Sequence, residues 1–557
     1  MEAGTSTRSA STLGVFVTAF RNRSLLRIEV AWLAFNGAEW GVWLTLMVWA
    51  YTHGGAAAAS LIVIVQLVPC IFIAPYLGTI TDRARAGRVL FFGLLIAGLA
   101  MAGLAAAMAL GAPRLLVFVL APLMNLALSV PRPAQAALLP SVVRTPLELT
   151  AANVVSSWME NASVLVAPAI TGVLLGLGGT ALATVALAGC ALAGACLLIG
   201  IPGPVSMAEP GEGMSLTAEV RESIAVVWRV PAARTLVGVV GSQYILVGAL
   251  DVLYVVLAIS TLGIGESGAG YLNSAFGLGG LLGAAVTATL VARRRLAPAL
   301  IAGILTAALA LGVLGIFPTV IGAFALITVA GLSRTVFDVT GRILLQRAAP
   351  PQVLGQVFAL LESLMDTGLV LGAIIVPVLV GLSGARAALV GTALLFFILV
   401  ALSWRRLRTI DDSADVPQVQ IQLLRSIPLF SPLPAPELEG LARALVPLEA
   451  PVGATLITEG EPGDCFYAIV DGRVKVTKGG QDVATLGRGD GFGEIALIQH
   501  VPRTATVVAL TDVSLYSLEK EPFVLALTGH APAARAADDV VSRRLEELRE
   551  LDGDTRA

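Results

Sequence analysis

Long unbroken apolar runs set the first limit on what this chain can become. Residues 91–111, "FFGLLIAGLAMAGLAAAMALG", and residues 299–317, "ALIAGILTAALALGVLGIF", contain no charged side chain. A helix of about 20 apolar residues crosses the hydrocarbon core of a bilayer. In lipid the backbone must satisfy its own N–H and C=O groups, which leaves helices and closed barrels. These runs do not alternate polar and apolar as barrel strands do, so they are read as helices. The whole chain agrees, with 56% hydrophobic and 13% charged residues.

Twelve such spans are expected. Six lie in 27–201 and six in 233–408, separated by a polar central loop at 202–232 and preceded by a lead-in at 1–26. The lead-in has no small-residue cleavage site after a clean apolar core, so it is read as a cytoplasmic segment. Arginines gather in alternate loops: Arg83, Arg85 and Arg88, then Arg144, Arg221, Arg229, Arg293 to Arg295 and Arg347, then Arg405, Arg406 and Arg408. By the positive-inside rule both termini and the central loop are cytoplasmic, in a multi-pass protein of the plasma or inner membrane. The net charge of −2 gives no case for a nucleic-acid partner. Cys70, Cys190, Cys196 and Cys465 have no metal-ligand spacing, so neither disulfide nor metal is expected.

The two apolar halves repeat. Residues 138–164 lie over 344–370 at an offset of 206, which sets Met159 on Met365 and Glu160 on Asp366. Parallel repeats of six spans are a common transporter architecture. Between spans 2 and 3, "GTITDRARAGRVL" (78–90) places Gly78, Asp82, Arg83, Gly87 and Arg88 at a helix end. This stretch resembles the gate motif of the major facilitator superfamily, with two extra residues between Arg83 and Gly87. The resemblance implies a twelve-span fold of two six-helix halves, with Gly78, Asp82, Arg83 and Arg88 at a gate between them.

Ionisable side chains at membrane depth are costly and tend to face an interior cavity. Glu39, Glu160, Asp251 and Asp366 are the candidates for substrate or proton handling. Glu39 has no partner nearby in sequence, whereas Arg334 and Asp338, four apart on one helical face, are expected to pair. The prolines of "SVPRPAQAALLP" (129–140) are expected to interrupt or end span 4.

Composition changes after Arg408. A polar linker at 409–420 leads into residues 421–557, where short strands broken by glycine follow a helical start. "CFYAIVDGRVKVTK" (465–478) carries an Asp471-Gly472 turn that reads as a hairpin. A small jelly roll is expected. In "GFGEIALIQHVPRTATVVA" (491–509) a glycine turn precedes a short helix, and Arg503 follows nine residues after Glu494. Backbone N–H groups there can hold an anion, a carboxylate can accept from a sugar hydroxyl, and a guanidinium matches phosphate oxygens.

The segment resembles the phosphate-binding cassette of cyclic-nucleotide-binding domains. The resemblance implies that Glu494 binds the ribose 2′-hydroxyl and Arg503 the cyclic phosphate. Gly493 and Ala496 would be backbone donors, with Ile495 and Thr504 beside them and the helix at 537–552 as a lid. It implies cAMP as regulatory ligand, with cGMP also open because Thr504 follows the arginine. The resemblance to the major facilitator superfamily implies a proton-coupled exporter of a small amphiphilic or drug-like molecule, here expected to be controlled by the nucleotide. A lipid or lysolipid carrier and a non-transporting membrane receptor are the alternatives; no nucleophile–base set points to an enzyme.

Overall fold

Three of the longest helices are interrupted at glycine. The computed structural model describes residues 22–81, 84–143, 146–201, 203, 225, 227–290, 295–349, 354–413, 417–499 and 501–554. Helix α1 (Arg23–Thr81) is broken at Gly54 and Gly55, and α5 (Pro146–Leu197) at Gly178 and Gly179; α10 (Leu354–Ser413) is broken at Gly384. Gly55 and Gly179 have φ of 68° and Gly384 has 79°, a left-handed conformation open to glycine because it lacks Cβ.

The other apolar helices are α2 (Ala86–Ala109), α3 (Arg114–Ser129), α4 (Pro131–Val142), α6 (Pro231–Val256), α7 (Gly265–Leu290), α8 (Ala297–Ile316) and α9 (Val320–Ala348). Span 4 is interrupted at Val130. Pro131, which has no N–H to give, starts α4 instead of continuing α3. Counting α3 with α4, the described residues contain nine helical segments long and apolar enough to cross a membrane.

Glycine also sets how closely these helices approach. A Cβ on Gly270 would meet the Pro168 carbonyl oxygen at 2.5 Å and the Gly172 Cα at 2.7 Å, and one on Gly277 would meet the Val164 oxygen at 2.8 Å. Helices α5 and α7 therefore touch backbone to backbone, the kind of contact that small residues give to helices in lipid. At the end of α10, Asp411 accepts hydrogen bonds from Leu296 N (2.9 Å) and Ala297 N (3.1 Å), capping the first turn of α8.

Contacts divide the chain into two units. Among the described residues, one lies within 22–142 and 155–413; the other comprises 143, 146–154 and the described part of 417–554. In the second unit, α11 (Gln418–Ser426) and α12 (Ala435–Ala444) precede eight strands in two antiparallel sheets. One sheet has the order β1-β8-β3-β6: β1 is Val446–Ala450, β8 Val513–Glu519, β3 Cys465–Asp471 and β6 Gly491–Phe492. The other has the order β2-β7-β4-β5: β2 is Thr455–Ile457, β7 Thr506–Ala509, β4 Val474–Lys478 and β5 Gln481–Leu486.

The Asp471-Gly472 turn is thus not a hairpin. It carries the chain from one sheet to the other, with Gly472 at φ 92°, and β3 pairs with β8 and β6 instead of β4. Alternation and a turn residue fit a sheet change as well as a hairpin. Ile469, Val474, Phe492, Val507 and Leu515 fill the space between the sheets. Phe430, Phe466 and Phe523 pack ring to ring at 5.2–5.9 Å, holding α14 (Lys520–Thr528) and the residues after α11 to β3.

Candidate functional site

The phosphate-cassette residues converge where β6 ends. Between β6 and the short helix α13 (Glu494–Gln499), Gly493 makes the turn at φ 94°. A Cβ there would lie 2.7 Å from Arg503 Nη1 and 3.0 Å from the Cys465 oxygen. Glycine is needed at this position for both its conformation and its space.

Arg503 is 5% exposed and tightly held. Nη1 donates to the Gly493 oxygen (3.1 Å), and Nη2 donates to the Cys465 oxygen (2.8 Å) and Asp464 Oδ1 (3.1 Å). These three bonds fix the plane of the guanidinium and leave two of its five N–H donors for an anion. Glu494 is 2% exposed. Its Oε1 accepts from Arg544, while Oε2 is buried with no hydrogen-bond partner among the described residues. A buried carboxylate oxygen without a donor is rare and suits a ligand hydroxyl.

Both side chains line a partly open recess of about 120 Å³. Gly493, Ile495, Ala496, Thr504 and Ala505 also line it, with Ile457, Val483 and Leu486 giving apolar wall. A buried cation, an unpaired acceptor and an apolar wall fit a ligand with an anionic group, a hydroxyl and a flat base. Burial, aided by the neighbouring Asp464, raises the pKa of the Cys465 thiol at the edge of β3 against the opposing pull of Arg503.

Sequence reading missed Arg544. It lies on α15 (Ala531–Asp554), and its Nη1 donates to Glu494 Oε1 (2.7 Å) and to the Gly491 oxygen (2.8 Å). On the same helix Val541 packs against Ile495. The lid helix, expected at 537–552, begins at Ala531 and closes on the cassette through these two residues. The signal available was an arginine pair, Arg543 and Arg544, on a helix where acidic residues outnumber basic ones.

In the membrane unit Glu39 is not isolated. Arg132 on α4 donates from Nη2 to Glu39 Oε2 on α1 (2.6 Å) and from Nη1 to Glu160 Oε1 on α5 (2.7 Å). Its guanidinium also stands 5.8 Å from the Trp32 ring centre and 5.6 Å from that of Phe35. The partner is 93 residues away in sequence, beyond the reach of local spacing.

Nor does Asp338 pair with Arg334. Asp338 accepts from Arg342 Nε (3.2 Å) and from Gln243 Nε2. Arg342 also donates to Glu362 Oε1 (3.0 Å) and to the Tyr244 hydroxyl (2.8 Å), while Arg334 Nε is buried without a partner among the described residues. The i,i+4 rule admitted both arginines, and the ties from α6 and α10 decide for Arg342. Arg132 therefore ties α4 to α1 and α5, and Arg342 ties α9 to α6 and α10.

Asp251 is buried on α6 and accepts a hydrogen bond from Trp43 Nε1 on α1 at 3.2 Å. Asp366 is half-buried on α10, separate from the Arg132 cluster that holds Glu160. Of the gate residues, Gly78 lies in α1 and Arg88 is exposed in the first turn of α2; Asp82 and Arg83 lie outside the described residues.

A helical bundle of membrane-spanning length, joined to a β-roll with an anion- and hydroxyl-accepting recess, defines a multi-pass membrane protein with a soluble ligand-binding domain. Family comparison gives both parts their names. The Major Facilitator Superfamily model matches residues 236–454, and the cyclic nucleotide-binding domain model matches residues 447–528. The chain thus carries a Major Facilitator Superfamily domain and, after it, a cyclic nucleotide-binding domain.

Curated relatives match about a fifth of the chain. A cAMP-dependent protein kinase regulatory subunit of Yarrowia lipolytica is 44% identical over 102 residues, 18% of this chain and 27% of the relative. A cyclic nucleotide-gated potassium channel of Rhizobium etli is 47% identical over 97 residues, 17% of this chain and 27% of the channel. The match thus spans about a quarter of the length of these relatives. Among solved structures, the regulatory domain of Toxoplasma gondii PKA with cAMP aligns at 29% identity and a TM-score of 0.20, covering 21% of this chain and 46% of that one.

Proposed function

We propose that the chain is a secondary active transporter, a proton-coupled exporter of a small amphiphilic or drug-like molecule, whose cycle is regulated by cyclic nucleotide. The regulatory reading is carried by one observation: buried Arg503 and the unpaired Glu494 Oε2 line the same recess. In this reading Arg503 takes the cyclic phosphate, Glu494 the ribose hydroxyl, and Gly493, Ile495, Ala496 and Thr504 complete the cradle. The ligand is cAMP, which the relatives' names support; Thr504 beside the arginine keeps cGMP as the second ligand to test.

The membrane part comprises two six-span halves, 27–201 and 233–408, around the central loop 202–232. Residues 409–420 link it to the nucleotide domain at 421–557. Nine apolar helical segments and the glycine breaks in three of them support twelve crossings, and the arginine bias of alternate loops supports cytoplasmic termini. The Arg132–Glu39–Glu160 cluster supports ion coupling, because two carboxylates sharing one guanidinium leave an excess negative charge that a proton or a cation can balance. Asp251 and Asp366 are further candidates for the path. Gly78, Asp82, Arg83 and Arg88 form the gate. Nucleotide controls the cycle only if it binds two transporter conformations with different affinity, and by linkage the transported molecule then changes nucleotide affinity.

The test is flux of a screened substrate in proteoliposomes under a proton gradient, with cAMP, with cGMP and without nucleotide. The reading expects a cAMP-dependent rate in the wild type. In Arg503→Ala, loss of charged hydrogen bonds worth about 3 kcal/mol weakens nucleotide binding by roughly 100-fold and removes the dependence. Gradient-driven flux that ignores cAMP in the wild type would overturn the regulatory half of the proposal.

A further inference from the structure

At the start of α2 a second recess is lined by Arg85, Arg88, Phe91 and Phe92 on one side and by Leu198 to Ile201 on the other. Gly87 and Gly203 bring the two sides together: a Cβ on Gly87 would meet the Ile201 oxygen at 2.5 Å. Arg27 donates to the carbonyl oxygens of Leu197 (2.7 Å) and Ile199 (2.6 Å), so a third cation sits at the end of α5. Arg85 and Arg88 are both exposed, and neither has an acidic partner among the described residues.

The surface beside these cations is apolar. Phe92, Ile96 and Leu99 are 52%, 52% and 56% exposed and follow Arg88 up one face of α2, as Ile199 does across the recess. From Arg88 to Leu99 a helix rises about 16 Å, close to half the thickness of a hydrocarbon core. Cations at the end of a span, with an uncovered apolar strip one leaflet long above them, present the two chemistries of a charged lipid in the order a bilayer has them. A free anion would leave the strip uncovered, and a neutral lipid would leave both guanidiniums without a counter-charge.

We propose that this recess binds an anionic phospholipid, with its phosphate between Arg85 and Arg88 and an acyl chain along Phe92, Ile96 and Leu99. The recess shares Arg88 with the proposed gate, and no residue with the nucleotide recess or with the Arg132 and Arg342 clusters.

The test uses the full-length protein in detergent and measures lipid binding by native mass spectrometry. Dioleoylphosphatidylglycerol, dioleoylphosphatidylethanolamine, glycerol phosphate and inorganic phosphate are the ligands. The wild type is expected to retain phosphatidylglycerol over phosphatidylethanolamine by roughly 30-fold, two arginines at the membrane surface each contributing several-fold. The R85Q/R88Q variant is expected to lose that preference. R405Q/R406Q, which removes two exposed arginines at the end of α10, is expected to keep it. Unfolding temperatures without lipid check that the variants are folded. Equal phosphatidylglycerol binding by wild type and R85Q/R88Q would overturn the proposal. Displacement of the lipid by glycerol phosphate or phosphate would also overturn it, by showing an anion site that does not use the acyl chain.

Discussion

Arg544 on the lid helix donates to Glu494 Oε1 at 2.7 Å, so the carboxylate of the cassette is held by the helix that covers it. Glu494 is almost fully buried and Arg544 about a third exposed. Removing the cation leaves a buried charge short of a partner, which costs several kcal/mol in a closed site and about 1–2 kcal/mol here, where water reaches the arginine. Arg544→Ala is therefore expected to weaken cyclic-nucleotide binding about tenfold, measured by isothermal titration calorimetry on the full chain. Arg544→Lys is expected to recover part of the loss. Unchanged or tighter binding in Arg544→Ala would show that the arginine competes with the ligand and does not latch the lid.

The interior arginine of the N-terminal half has a different duty. Arg132 holds Glu39 at 2.6 Å and Glu160 at 2.7 Å, and Glu39 has the less exposed carboxylate of the two. Glu39→Gln keeps the shape and a hydrogen-bond acceptor but removes one of the charges that a proton would neutralise. Proton-driven flux in proteoliposomes is expected to fall at least tenfold in Glu39→Gln and less in Glu160→Gln. Arg132→Ala sets two carboxylates together with no cation and is expected to be the most damaging of the three. Full proton-coupled flux in Glu39→Gln would remove this cluster from the coupling path.

These two clusters also mark where the sequence was legible. Glu494 and Arg503 lie in one short segment whose strand-turn-helix-strand order brings them together, so their spacing and the cassette resemblance both pointed to them. The long apolar runs announced helices because lipid admits few other solutions. Arg132 was visible as a charge, but its partners come from α1 and α5, and only the packing of three helices joins them. Arg544 needed the lid's rotation about its own axis, which amphipathic pattern does not fix on a helix rich in charge. The Asp471-Gly472 turn misled for a further reason. Pairing partners of a strand are set by the whole roll, and the local alternation of β3 and β4 is the same whether they pair with each other or with β8 and β7.

Cys465 offers a pH test inside the nucleotide domain. Burial and the nearby Asp464 raise its thiol pKa. A raised pKa means that the folded state holds the proton to higher pH than the unfolded chain does. Between those two values the unfolded state binds fewer protons, so this residue's contribution to stability falls as pH rises above the ordinary thiol value of about 8.5. With Cys70→Ala, Cys190→Ala and Cys196→Ala in place, alkylation of Cys465 by iodoacetamide is expected to have its inflection above that value. Arg503→Ala removes the opposing cation and is expected to move the inflection higher still. An inflection at or below the free thiol's value would contradict the burial of this site.

Across the two halves of the membrane unit, Trp43 Nε1 on α1 donates to buried Asp251 on α6. A side-chain hydrogen bond contributes about 0.5–1.5 kcal/mol, enough to change a two-state population roughly two- to tenfold. If the halves separate here during the transport cycle, Trp43→Phe removes the donor while keeping most of the ring. It is then expected to enrich the conformation in which α1 and α6 stand apart. Spin labels at Thr52, exposed just before the glycine break of α1, and at Ser260, exposed just past the end of α6, would report this as a longer component in the distance distribution. Asp251→Asn keeps an acceptor for the indole and is expected to shift the distribution less. Superimposable distributions for wild type and Trp43→Phe would mean that the bond stabilises packing without acting as a latch between the halves.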